Sequence, residues 1–204
     1  MIREVTSFLA NRSKQFLSLS QFASMATSAD FMSKPFNEPV KEYLPGSAER
    51  TELETVLHRY YNTTTEIPIV IGNDELTTSN VQHQVMPFEH AKKLAKYYYA
   101  DKELIVRAIQ SCLEARENWE RRPLKERAQV LLKAADLIAT KYRMDINAAT
   151  MLGQAKTIVQ AEVDSACELI DFLRFNSLFA LDLEKYNPIS TAEYTNKIIY
   201  RGLE

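Results

Sequence analysis

The apolar residues between Asp101 and Tyr186 recur at intervals of three and four, a period that leaves little choice except a set of amphipathic helices. Leu104, Ile105, Ala108, Ile109, Cys112 and Leu113 predict one helix, opened by Asp101 as N-cap and ending near Trp119. Pro123 suits the first turn of a second, whose stripe is Leu131, Ala134, Ala135, Ile138 and Tyr142. A shorter third helix follows Asp145 and stops at Gly153 as its C-terminal glycine. The fourth starts at Thr157, with Gln160 three residues on as a capping box, and runs through Ala161, Leu169, Phe172, Phe175 and Phe179 until Asn187-Pro188 breaks it. Four apolar faces of this kind need a sheet or further helices to cover them.

Upstream the pattern changes. Pro35, Pro39 and Pro45 make residues 33–50 read as an extended arm lying on a surface. Leu53, Val56, Leu57 and Tyr60 predict a short helix over 51–62. Ile67, Ile69 and Ile71 then precede the turn Gly72-Asn73-Asp74, and Val81, His83 and Val85 alternate with polar residues, so a strand, a turn and a second strand are expected. Tyr97 to Tyr99 extends a third. Lys197 to Arg201 reads as a strand that has barely begun at Glu204. These strands are too few to cover four helix faces. The first 30 residues carry Arg3, Arg12 and Lys14, many serines, and only Glu4 and Asp30 as acids, the composition of a mitochondrial transit peptide.

Several functions are disfavoured. A net charge of −2 creates no field that would gather phosphates, so nucleic acid is a poor partner. No run approaches the roughly 20 apolar residues that span a bilayer, and three basic residues in the amino-terminal stretch attract anionic lipid only weakly, so no membrane partner is expected. The glycines at 46, 72, 153 and 202 form no phosphate-binding loop. His58, His83 and His90, read as lying on a helix, a strand and a loop, lack the spacing of metal ligands, and no metal site is expected. Cys112 lies in the apolar stripe of its helix and is expected in the core; Cys167 has no histidine near it in sequence. Asp164, Glu168 and Asp171 repeat at four and three beside Phe172 and Phe175, and the plain reading of such acids is a solvated helix edge.

The run MLGQAKTIVQAEVDSACELIDFLRFNS, followed by NPIS and IIYRGLE, resembles the amino-terminal third of the Δ1-pyrroline-5-carboxylate (glutamate semialdehyde) dehydrogenases, a branch of the aldehyde dehydrogenases. NEPV, GSAER, QHQVMPFEHAKKLAKYYYADK and ERAQVLLKAADLI are similar in the same order, from about Asn37 to Glu204. The resemblance implies an α/β fold of which this chain supplies the amino-terminal portion, mostly amphipathic helices with a few antiparallel strands. It implies a mitochondrial matrix oxidoreductase of proline catabolism that converts the small molecule L-glutamate γ-semialdehyde to L-glutamate with NAD, and a homo-oligomer for the complete enzyme. It divides the chain into a transit peptide (1–32), an arm and short helix (33–65), the leading strands and helices of the NAD-binding domain (66–186) and the start of oligomerisation strands (187–204). The family's nucleophilic cysteine and its cofactor-binding residues fall beyond Glu204, and neither Cys112 nor Cys167 matches the nucleophile, so the chain by itself is expected to lack activity. One family site residue is expected here. The glutamate of the ELIDF run is Glu168, whose carboxylate would accept hydrogen bonds from the ammonium of the substrate. The competing expectation is a standalone helical interaction module without enzymatic activity, using its apolar stripes as docking faces.

Overall fold

A computed structural model describes residues 36–200, so the expected transit peptide lies outside the described residues. The elements are α1 (Ala48–Asn62), β1 (Thr65–Ile67), β2 (Ile69–Ile71), β3 (Asp74–Leu76), β4 (Val81–Met86), β5 (Glu89–Tyr98), α2 (Lys102–Arg121), α3 (Leu124–Ala139), α4 (Arg143–Gln154), α5 (Ile158–Ala161), a π-helical turn (Glu162–Cys167) and α6 (Glu168–Leu183). A 3₁₀ turn, Glu184–Tyr186, follows. Helix α3 packs on α6 and α1 on α4.

The arm before α1 is extended as expected and ends in a turn. Ser47 N–H donates to Leu44 O at 3.0 Å, and Gly46 adopts φ 81° at the position where a Pro-Gly turn of type II needs a positive value. Ser47 then caps α1, which buries Leu53 and Tyr60.

The strands differ from expectation. Ile67, Ile69 and Ile71 do not share one strand, because Pro68 between them has no N–H for a ladder. β1 pairs in parallel with β5, whereas β2 turns at Gly72 (φ 60°) into an antiparallel pair with β3. β4 runs antiparallel to β5 across the two-residue connection Pro87-Phe88, with a register irregularity near Val85. β5 is ten residues long and includes His90, which therefore lies on a strand rather than in a loop. Its segment EHAKKLAK consists largely of helix formers. Two neighbouring strands, β1 and β4, override that preference by pairing its backbone on both sides.

Asp101 caps α2 as expected, accepting from Leu104 N–H at 2.8 Å. The helix buries none of its residues. Ile105, Val106 and Ile109 are each more than half exposed, and Cys112, expected in the core, is exposed as well. The physical reason is that, among the described residues, the helix meets little more than the short strand β2 and, through the Arg107–Asp74 ion pair, the start of β3. α4 starts at Arg143, two residues before Asp145, and ends past Gly153; the left-handed residue that terminates it is Ala155, at φ 56°. Gly153 serves close packing instead, since a Cβ there would lie 3.3 Å from Leu94 Cδ2 on β5. An alanine in the left-handed region is strained by about 1 kcal/mol. Ala155→Gly is therefore expected to raise the free energy of unfolding by about that amount, read as a higher urea midpoint at unchanged slope.

The capping box at Thr157 is present on both sides, with Thr157 N–H donating to Gln160 Oε1 at 2.9 Å. The strand expected over Lys197–Arg201 does not form across its described part. Residues 187–200 have no ladder partner among the described residues and are held by local bonds such as Ile198 N–H to Asn187 Oδ1 at 3.1 Å.

Candidate functional site

The long helix made of α5, the π turn and α6 presents two chemically different faces. Inward, Glu162, Ala166, Cys167, Ile170 and Ser177 are buried. In a regular α-helix Glu162 and Cys167 would project about 140° apart. The π turn closes i to i+5 bonds, the last from Glu168 N–H to Val163 O, and brings both residues onto the same guanidinium.

That guanidinium belongs to Arg143, at the start of α4 and 1% exposed. It donates from Nε to Glu162 Oε1 at 3.1 Å and from Nη2 to Cys167 Sγ at 3.3 Å and to Pro39 O at 2.7 Å; shorter bonds join it to Glu162 and Glu38. Glu162, fully buried, also accepts from Lys41 N–H at 2.8 Å, Tyr43 OH at 2.7 Å and Asn147 Nδ2 at 2.7 Å. With the Cys167 thiol 3.8 Å from Oε1, six donor atoms surround two oxygens, more than the roughly four lone-pair sites of a carboxylate. Burial alone pushes the Glu162 carboxyl upward, but the bonds from Arg143, Lys41, Tyr43 and Asn147 overcome it and hold the group at about 2. Burial, then the neighbouring Glu162 charge, pushes the Cys167 thiol up to about 11. Tyr43 itself sits at φ 55°, a left-handed backbone kept in place by its buried hydroxyl.

The arm is fastened further along the same helix. Asp171 accepts from Asn37 Nδ2 and from Glu38 N–H, both at 2.7 Å. Glu38 in turn accepts from Arg174 Nη1 at 2.6 Å.

Outward, Glu168, Phe172, Phe175 and Phe179 follow one another at four, three and four residues and share one face. Phe172 and Phe179 are each 56% exposed. The three acids singled out in the sequence do not gather into one cluster. Asp164 pairs with Lys156 at 2.8 Å and Asp171 holds the arm, while Glu168 is exposed and has no partner among the described residues. His58, His83 and His90 are all exposed, and no group of three metal-ligating side chains occurs among the described residues. An open apolar groove lies between β2 and α2, lined by Ile69, Val70, Leu104, Ile105, Ile109 and Cys112.

Sequence reasoning missed Glu162 and Arg143, because charged residues inside helical patterns usually face water, and it missed Tyr43 and Asn147, whose partners lie far from them in sequence. One signal was available: Glu162 sits within the small residues Ala161, Ala166 and Cys167, which leave room for a buried guanidinium.

The model of the aldehyde dehydrogenase family matches residues 76–202. Curated relatives named mitochondrial Δ1-pyrroline-5-carboxylate dehydrogenase include those of Danio rerio, 48% identical over 168 residues, and Homo sapiens, 48% identical over 171 residues. The alignments cover 82% and 84% of this chain. The chain spans about 30% of the length of these relatives. Among solved structures, the Δ-pyrroline-5-carboxylate dehydrogenase of Mycobacterium tuberculosis superimposes with a TM-score of 0.79 at 42% identity, covering 83% of this chain and 32% of that one. A second structure of that protein, bound with NAD, gives 0.79 at 41% identity, covering 82% of this chain and 32% of that one.

Proposed function

Because the chain belongs to the aldehyde dehydrogenase family, we propose that it forms part of a mitochondrial matrix enzyme that oxidises L-glutamate γ-semialdehyde to L-glutamate with NAD, and that Glu168 contacts the substrate. The observation that carries this reading is the unpartnered Glu168 carboxylate standing on the same helix face as Phe172, Phe175 and Phe179, in a chain 48% identical to dehydrogenases of that name. A carboxylate there accepts hydrogen bonds from the substrate ammonium, and the aromatic side chains beside it offer apolar contact to the substrate carbons.

The chain's part is confined to the substrate end of the reaction. NAD, when bound to the complete enzyme, takes up the hydride. Among the described residues none forms a phosphate cradle, and the groove beside α2 is lined by apolar side chains, so no residue of this chain is assigned to hold the cofactor. Neither thiol is assigned the role of nucleophile. Cys167 is buried, with its thiol pushed up to about 11, and Cys112 lies in a groove lined by apolar side chains. The chain alone is accordingly inactive on this reading. Residues 66–186 belong to the NAD-binding domain and 187–204 to an oligomerisation segment through which the complete enzyme assembles with copies of itself. The exposure of Ile189 (89%), Tyr194 (70%) and Ile199 (81%) supports the latter assignment. Residues 1–32 are its transit peptide.

The test is a graft. Residues 37–200 of this chain replace the matching segment of the full-length Homo sapiens relative, and NAD reduction is followed with Δ1-pyrroline-5-carboxylate. The graft is expected to be active, and Glu168→Gln within it to raise KM roughly 10- to 100-fold, the loss of a charged hydrogen bond of about 1.5–3 kcal/mol. An inactive graft, or a KM left unchanged by Glu168→Gln, overturns the reading.

A further inference from the structure

We propose that the strap Asn37–Glu38 positions the substrate-binding carboxylate: by fastening α6 at Asp171 and Arg174 it fixes the direction in which Glu168 leaves the helix. The inference rests on the reading of Glu168 given above.

The geometry begins with the arm, which holds the long helix on both sides of its π turn. Lys41 and Tyr43 bind Glu162 at one end of that turn, and Asn37 and Glu38 bind Asp171 and Arg174 beyond the other. Glu162 and Asp171 are nine residues apart and would point in opposite directions, about 180° apart, on a regular α-helix. The π turn absorbs one residue's rotation of about 100° and brings the two carboxylates to within about 80° of each other, where one extended strap reaches both.

Asp171 is the residue one turn beyond Glu168 and lies beside it on the surface of the helix. Its two oxygens each receive one donor from the strap at 2.7 Å, which resists rotation of α6 in either sense. Glu38 adds a second fastening, since its carboxylate bridges Arg143 on α4 and Arg174 on α6. Ile170 and Ser177, both buried, fix the inward face of the same helix and leave the side where Glu168 stands to the strap. Positioning matters because a reacting or binding group displaced by about 1 Å loses on the order of a hundredfold in effect.

Asn37, Glu38 and Asp171 are thus positioning residues that act through Glu168 and do not touch the substrate. In the grafted dehydrogenase, Glu38→Gln is expected to raise KM for the semialdehyde about tenfold with kcat changed by less than about threefold. Asn37→Ala, at an exposed residue whose loss leaves the buried pairs intact, raises KM by about threefold. The deciding measurement is the double variant. In a Glu168→Gln background neither substitution raises KM further, because the group they position has gone.

If the effects of Glu38→Gln and Glu168→Gln multiply, or if both strap variants keep the parent KM while Glu168→Gln does not, the strap has no positioning role and only this inference falls. If Glu168→Gln itself leaves KM unchanged, the assignment of Glu168 falls and this inference with it. Should Glu38→Gln fail to fold, the cycle of Asn37→Ala with Glu168→Gln decides between the same outcomes by itself.

Discussion

Arg143→Met lowers the free energy of unfolding by about 3–5 kcal/mol, the largest single effect expected in this chain. Methionine keeps much of the side-chain volume, so little of that loss comes from an empty space. The cost arises because the Glu162 carboxylate stays behind, fully buried, with its only cationic partner among the described residues removed. Lys41 N–H, Tyr43 OH and Asn147 Nδ2 still reach it, and three neutral donors compensate a buried charge only in part. Glu38 also loses one of its two arginines. Urea unfolding of both proteins at pH 7 measures the difference, and a loss below about 1 kcal/mol would show that the pair is no stronger than a surface one.

The second large effect is an acid transition that belongs to Glu162. Its carboxyl is held at about 2 in the folded chain against an ordinary value of 4.5. A group whose value is lowered on folding contributes stability that is complete above its unfolded value and disappears as pH falls toward the folded one. About 3 kcal/mol should therefore be lost between pH 4.5 and 2, at roughly 1.4 kcal/mol per pH unit. Other carboxylates titrate in the same window, and the comparison with Glu162→Gln isolates this one. The variant is less stable at pH 7 but its curve is flatter by that amount below pH 4.5. Parallel curves for the two proteins would remove Glu162 from the account.

How much of this is legible in the sequence depends on whether a residue's role is local. Asp101 and Thr157 announce helix starts through bonds made within three residues, and both caps form where the sequence puts them. The extended arm is equally legible, because proline fixes its own backbone. Strand β5 is legible only at its tyrosine end, Tyr97 and Tyr98; the lysines, alanines and leucine before them favour a helix, and pairing with β1 and β4 makes them extended. Gly153 reads as a terminator although close packing against Leu94 explains it, and nothing in the sequence distinguishes the two uses. The buried ion cluster is the extreme case. Its members come from positions 38 to 174, so no window of sequence contains it. Glu168 stands out only through family likeness; its spacing with Phe172, Phe175 and Phe179 places it on a face without saying what the face meets.

If residues 1–32 are removed as the transit peptide proposed above, the fastened arm sets a floor for that cleavage. A protease that stops before residue 37 leaves the bonds of Asn37, Glu38, Pro39, Lys41 and Tyr43 in place, whereas one that also removed Asn37 through Tyr43 would strip Glu162 of two donors and Arg143 of Glu38 and the Pro39 carbonyl. The shortest mature form that can keep this body intact therefore begins no later than Asn37.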